Sequence, residues 1–173
     1  MELLDVYDNN GRVTGRVVER GKKDEIFNEN EHIAVSIIFI ENSDGKFLIQ
    51  KTSKKENEFS STGGHIDHGE NPYDVIIREV KEELGIDISN DNIIDLGFRL
   101  LDFPIRFLYY LKKDIKIEDI HIQESEVEYV KYMSIEEIND LIEKGLMNKG
   151  HGLLFKEILK YKEKLGEYNG KKR

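Results

Sequence analysis

The chain has 173 residues, 35% of them charged and 38% hydrophobic, which suits one globular domain with a sizeable core and leaves too little chain for two. Its formal net charge of -9 argues against nonspecific binding to nucleic-acid polymers or anionic membranes, so a phosphorylated substrate has to be attracted by metal ions or local basic side chains. The absence of cysteine excludes disulfides and thiolate-bound zinc, and it fits a reducing, cytoplasmic setting.

The first residues carry Glu2 and Asp5 and no basic segment followed by an apolar one, so no secretory signal is expected. Leu3 to Tyr7 predicts a short strand, Asn9-Asn10-Gly11 a turn and Val13 to Val18 a returning strand, an N-terminal hairpin within residues 1–20. Arg20 to Glu31 is polar and reads as a loop or frayed helix. His32 to Ile40 is rich in β-branched residues and predicts a buried central strand; its apolar part is far short of the roughly 20 residues a membrane helix needs. His32, at the strand's start, reads as a histidine capping a backbone group. Asn42-Ser43-Asp44-Gly45 is a turn, and Lys46 to Lys51 the paired strand. Lys51, Lys54 and Lys55 follow, where the chain turns toward its most informative stretch.

That stretch runs from Gly64 to Ile86, GHIDHGENPYDVIIREVKEELGI. It reads as a tight loop entering a helix. Asn71 fits an N-cap, Pro72 the first helical position and Gly85 the left-handed residue past the end. Ile76, Val80 and Leu84, joined by Tyr73 and Ile77, form one apolar stripe. On the other face Glu79, Glu82 and Glu83 are three and four residues apart. Like charges so placed destabilise a helix by roughly 0.2–0.5 kcal/mol per pair, and Arg78 offsets some of this through Asp74 and Glu82. A solvated acidic face explains a lone E-x-x-E-E. With a glycine loop and an arginine beside them, these carboxylates are better explained by a hard cation, Mg²⁺ or Mn²⁺. His65 and His68 flank the loop and read as loop or substrate-edge residues.

Downstream, Ile93 to Leu101 and Ile105 to Leu111 predict two strands bent at Phe103-Pro104, and Arg99 and Arg106 are candidates to face substrate. Glu124, Glu126 and Glu128 alternate ahead of and into a strand, Glu128 to Met133, which would put all three on one side of an extended chain. An exposed acidic edge is the competing explanation. Ser134 to Glu137 is a capping box opening a helix to about Lys144, and a last amphipathic helix covers Gly152 to Leu165, presenting Leu153, Leu154, Ile158 and Tyr161. A basic tail, Gly166 to Arg173, follows. No repeat or linker interrupts residues 1–173.

The stretch Gly64 to Ile86 fits G-x5-E-x7-R-E-U-x-E-E-x-G-U, with U apolar, at every specified position; chance would give this at on the order of 10⁻⁶. It resembles the signature of the Nudix hydrolases, the MutT-like superfamily. The resemblance implies an α/β fold, an α/β/α sandwich with a mixed sheet, and metal-assisted cleavage of a small-molecule diphosphate. It implies metal ligands in Glu79, Glu82, Glu83 and the Gly63 carbonyl, joined by a later glutamate, Glu124 first and Glu126 second. Glu79 or Glu124 would be the base, Arg78 would orient Glu79, and Glu70 would steady the loop or reach metal through water. Gly64 would let backbone approach the substrate, and Lys51 would touch phosphate. The opening, E-x-x-D-V-Y-D-x-x-G-x-x-T-G from Glu2 to Gly15, resembles a subgroup similar to isopentenyl-diphosphate isomerase. That isomerase needs a cysteine where Gly63 stands, so a hydrolase is expected, on a nucleoside diphosphate-linked compound; a noncatalytic binding module is the other alternative. The oligomeric state stays open, a homodimer included.

Overall fold

Apolar side chains on both faces of a central strand need cover from two layers, and the fold provides both. The computed structural model describes residues 2–21, 27–101 and 104–170. In chain order the elements are β1 (Leu3–Tyr7), β2 (Val13–Glu19), β3 (Ala34–Glu41), β4 (Phe47–Thr52), β5 (Phe59–Ser60), β6 (Thr62–His65), α1 (Pro72–Leu84), β7 (Ile94–Arg99), β8 (Ile105–Lys112), β9 (Val127–Met133), α2 (Ile135–Glu143) and α3 (Lys149–Lys164). A 3₁₀ turn lies at Ile117–Asp119.

The mixed sheet runs β5-β4-β3-β8-β7, with β6 paired to β3 and β9 to β4. β3 and β8 pair in parallel from Ala34↔Ile105 to Glu41↔Lys112, and the other contacts are antiparallel. Alternation along β3 sends Ile37 and Phe39 to one face, where they meet Phe155 and Ile158 of α3 and Ile138 of α2. Ile38 and Ile40 go to the other, against Ile76, Val80 and Leu84 of α1. The result is the expected α/β/α sandwich. No helix among the described residues is long and apolar enough to cross a membrane.

The N-terminal hairpin forms its own two-stranded sheet and docks through Tyr7↔His32 and Leu4↔Asp67 bridges. His32 joins that bridge through its own backbone, while its ring, expected to cap a backbone group, meets the Asn9 side-chain oxygen at 2.6 Å. Three expectations shift. The last helix starts at Lys149, because Asn148 caps it by accepting from the N–H groups of Gly150 and His151. Leu153 is only half-buried, and Phe155 and Leu159 join the core instead. Tyr73 leaves the buried stripe for the surface, laying its ring edge against Tyr109. The expected features at residues 22–26, Phe103 and 171–173 lie outside the described residues.

Candidate active site

β3 and β4 stay paired only at Glu41↔Phe47, after which β6 takes the edge of β3 and β9 that of β4. A cleft of about 600 Å³ opens where they part. Ile37 and Gln50 lie along it, the Gly63-Gly64 backbone and Glu79, Glu82 and Glu83 of α1 form one wall, and Arg106, Asn148 and His151 line it as well.

The acidic face is held here by local chemistry. Asn71 accepts from the Asp74 N–H at 2.9 Å and Gly85 leaves the helix at φ 70°, so α1 is fixed at both ends. Arg78 is its electrostatic hub. Its guanidinium donates to both Glu70 oxygens at 2.8 and 2.9 Å and to Glu82 at 2.8 Å, and it lies 3.5 Å from Glu79. Asp74 is not its partner, being turned to the Asn71 side-chain amide. Glu70 also accepts from the Asp67 N–H at 3.1 Å, tying loop to helix. Burial works against the charge on Arg78, but the hydrogen bonds it donates to Glu70 and Glu82 outweigh it and raise its pKa.

Glu79 lies over Gly64: a Cβ there would be 2.3 Å from Glu79 Oε2. Gly63 backs onto the sheet, where a Cβ would be 2.5 Å from the Ser36 carbonyl oxygen. Glu83 accepts from Gln50 Nε2 at 2.8 Å, and Gln50 Oε1 accepts from the Thr62 hydroxyl at 2.9 Å, so the amide's orientation is set from behind. Burial drives the pKa of both Glu79 and Glu83 upward, and their mutual repulsion adds to that of Glu83. Glu126 raises both further, while Arg78 lowers that of Glu79 and Gln50 that of Glu83.

Among the described residues no three His, Asp or Glu side chains are gathered closely enough to hold a metal ion as they stand. Glu82, on the same cleft wall, is engaged by the Arg78 guanidinium. The donor set nevertheless fits a hard divalent cation. It is all oxygen, and two of its carboxylates, buried Glu83 and half-buried Glu79, disfavour ionisation together, an arrangement a cation would relieve.

The structure does not bring every predicted residue to the cleft. Residues 124–126 form a turn, the Glu126 and Val127 N–H groups both donating to the Gln123 carbonyl, so the three glutamates do not share one side of an extended chain. Glu126 lines the cleft, whereas Glu124 does not and binds Ser53 through its carbonyl. Lys51 also stays outside, its ammonium donating to the Thr52 and Lys55 carbonyls and pairing with Glu128 at 3.3 Å. Lys54 lines the cleft and pairs with Glu126 at 2.7 Å. Arg99 is engaged by Glu157 at 2.8 Å, away from it. His68 serves the loop: Asp5 accepts from the Gly69 N–H at 3.0 Å and meets His68 Nδ1 at 2.7 Å, so the N-terminal hairpin clasps the loop. Sequence reasoning missed Asp5, Gln50, Thr62 and His151. Gln50 alone left a signal, as a polar residue inside the apolar strand FLIQK.

Comparison with known proteins agrees with this geometry. The family model for the NUDIX domain matches residues 30–156. An uncharacterised Nudix hydrolase of Listeria innocua is 30% identical over 84% of this chain and 87% of its own length. The asymmetrical bis(5'-nucleosyl)-tetraphosphatase of Mus musculus is 29% identical over 66% of this chain and 84% of its own. The crystal structure of DR0079 from Deinococcus radiodurans superposes with a TM-score of 0.76 at 20% identity, covering 90% of this chain and 98% of that one, which bears on the fold alone.

Proposed function

The chain belongs to the Nudix family of hydrolases acting on acid anhydrides, and on that premise we propose that it cleaves the diphosphate linkage of a nucleoside diphosphate-linked small molecule by attack of water at phosphorus, with Mg²⁺ or Mn²⁺ as cofactor. One observation carries the reading: two neighbouring carboxylates of α1, Glu83 buried and Glu79 half-buried, stand on one cleft wall, with the Gly64 backbone against Glu79. The mouse relative acts on a dinucleoside tetraphosphate by name, which supports a nucleotide among the substrates. The cysteine-free composition supports a cytoplasmic setting.

Glu79, Glu83, Glu126 and the Gly63 carbonyl would hold the cation, with Glu82 joining once released from Arg78. Bound there, it would neutralise charge on the phosphoryl oxygens and make a bound water more acidic. Glu79, set between Gly64 and Arg78 on the cleft wall, is the candidate to accept that water's proton. Gln50 and Thr62 orient Glu83, and Glu70 keeps Arg78 beside Glu79 and Glu82. Glu126 takes the part first assigned to Glu124, because the turn at Gln123 aims it inward.

The test is turnover of nucleoside di- and triphosphates, ADP-ribose and diadenosine tetraphosphate with Mg²⁺, run in ¹⁸O-water to locate the attacked atom. Glu83→Gln should lower kcat by about a hundredfold or more while the protein stays folded. Near-normal hydrolysis by that variant would overturn the site assignment.

A further inference from the structure

Across the cleft from the acidic helix stands a histidine that the hydrolytic reading leaves unused. His151 lies in the first turn of α3 and lines the cleft together with Arg106, Asn148 and Ser61. Its Nδ1 faces Ser61, 3.2 Å from the backbone N–H and 2.8 Å from the hydroxyl oxygen. A backbone N–H can only donate, so Nδ1 is an acceptor and the proton of the neutral ring sits on Nε2.

Nε2 has no hydrogen-bond partner among the described residues. Every buried side-chain nitrogen or oxygen there has one, so Nε2 is not buried, and the space it meets is the cleft that His151 lines. Arg106 closes the same corner. Its guanidinium packs on the first turn of α3 so tightly that a Cβ on Gly150 would lie 2.6 Å from Nε. Burial, and then the charge of Arg106, push the pKa of His151 down to about 3, so the ring stays neutral through the physiological range.

We propose that His151 is a specificity-determining residue, its Nε2–H donating to an acceptor atom on the organic moiety that the substrate carries beyond its phosphates. Ser61 is the positioning residue that fixes the donor's direction. The inference rests on the cleft being the hydrolytic site. The phosphates are drawn to the cation-binding wall of Glu79 and Glu83, and a cleft of about 600 Å³ has room for a nucleotide-sized molecule reaching from that wall to α3. A neutral, fixed-tautomer donor discriminates between acceptors and donors on a base or sugar, because a mismatched group leaves it unpaired.

Two variants separate the ring's two nitrogens. His151→Asn keeps a short acceptor for Ser61 and removes the far donor, while His151→Gln keeps an N–H near the Nε2 position and gives up the Ser61 contact. Steady-state kinetics would compare ATP, GTP, CTP and UTP with methyl triphosphate, which has neither base nor sugar. His151→Asn should lower kcat/KM for the best nucleoside triphosphate roughly three- to tenfold, chiefly through KM, and leave methyl triphosphate within twofold. His151→Gln should retain most of the nucleotide preference. Equal losses on both kinds of substrate, or none in His151→Asn, would overturn the proposal.

A readout independent of turnover is the His151 ring ¹H–¹⁵N resonance on titration with AMP, ADP and ribose 5-phosphate. The Nε2–H signal should move with a nucleotide and not with inorganic phosphate. An unmoved signal under saturating nucleotide refutes the donor role. If the wild-type protein hydrolyses nothing while this signal moves, the hydrolytic reading fails and the binding role of His151 stands.

Discussion

Replacing Gly64 by alanine should disable the site while sparing the fold, whereas replacing Gly63 should destabilise the fold itself. A Cβ on Gly64 would sit 2.3 Å from Oε2 and 2.4 Å from Cδ of Glu79. Ordinary contact needs about 3.4 Å or more, so the carboxylate must retreat by about 1 Å. Gly64 is not among the residues with positive φ, so alanine costs no backbone strain, and Glu79 can swing toward the cleft. A displacement of about 1 Å in a group that positions the reaction costs on the order of a hundredfold in rate. Gly63→Ala instead drives a Cβ to 2.5 Å from the Ser36 carbonyl oxygen on β3, which cannot turn away without breaking sheet pairing. Overpacking of this kind costs about 1–3 kcal/mol, a fall in Tm of about 2–12 °C for a chain of this size. The assay pairs thermal melts with Mg²⁺-dependent hydrolysis of diadenosine tetraphosphate and ADP-ribose, plus Mn²⁺ binding by calorimetry. Gly64→Ala with wild-type turnover, or melting as early as Gly63→Ala, would refute the placement of Glu79 over Gly64.

Three further outcomes are expected. In metal-free protein the folded-state pKa values of Glu79 and Glu83 are raised above the unfolded value of 4.5, so the native state binds more protons and stability falls as pH rises through the folded values. Because burial lowers the pKa of His151 and His65, which act oppositely below their ordinary 6.5, melts are best compared from that pH to about 8.5. Mg²⁺ should restore Tm at the alkaline end, and a metal-free Tm that climbs across this range in wild type relative to Glu83→Gln would contradict the sign. Asp5→Ala removes the acceptor shared by Gly69 N–H and His68, and should cost about 1–3 kcal/mol in chemical denaturation and lower turnover by loosening the loop. Lys162 is buried against Glu41 at 2.8 Å, and Glu41 in turn accepts from the Tyr110 hydroxyl. Lys162→Met should therefore cost about 3–5 kcal/mol, with Lys162→Met/Glu41→Gln recovering part of it, since the second change removes the stranded charge. If the double variant were less stable than the single one, the pair would not be the origin of the loss.

The loop and helix from Gly64 to Ile86 were legible because their signals are local. Asn71, Pro72 and Gly85 act on backbone within one or two turns, and the spacing of Ile76, Val80 and Leu84 sets which face is buried whatever the helix packs on. The sandwich was implied by the resemblance of that stretch to the Nudix signature, and the apolar residues on both faces of Ala34–Glu41 are what its two helical layers cover. The errors arose where a side chain's direction depends on distant chain. Alternation promised Glu124, Glu126 and Glu128 on one side, but a turn closed on Gln123 intervened and aimed Glu126 at the cleft. Arg78 has carboxylates both four residues away and in the loop, and the loop's Glu70 binds it at both oxygens where Asp74 does not bind it at all.

Lys51, Gln50 and His151 show the same division. A lysine close in sequence to the glycine loop looks like a ligand in one dimension, yet the carbonyls of Thr52 and Lys55 lie within its reach and hold it away from the cleft. Gln50 stood out only as a polar residue in an apolar strand; its bond to Glu83 spans 33 positions, and the pairing of His151 with Ser61 spans 90. Residue types and their short-range periodicity were enough to name the family's chemistry and the helix that bears it, because hydrogen bonds and steric limits over four residues do not depend on the rest of the fold. Which carboxylates line the cleft, and which hydrogen-bond donor stands across it, depended on where β3 and β4 part and on which loops converge there, and only long-range packing decides that.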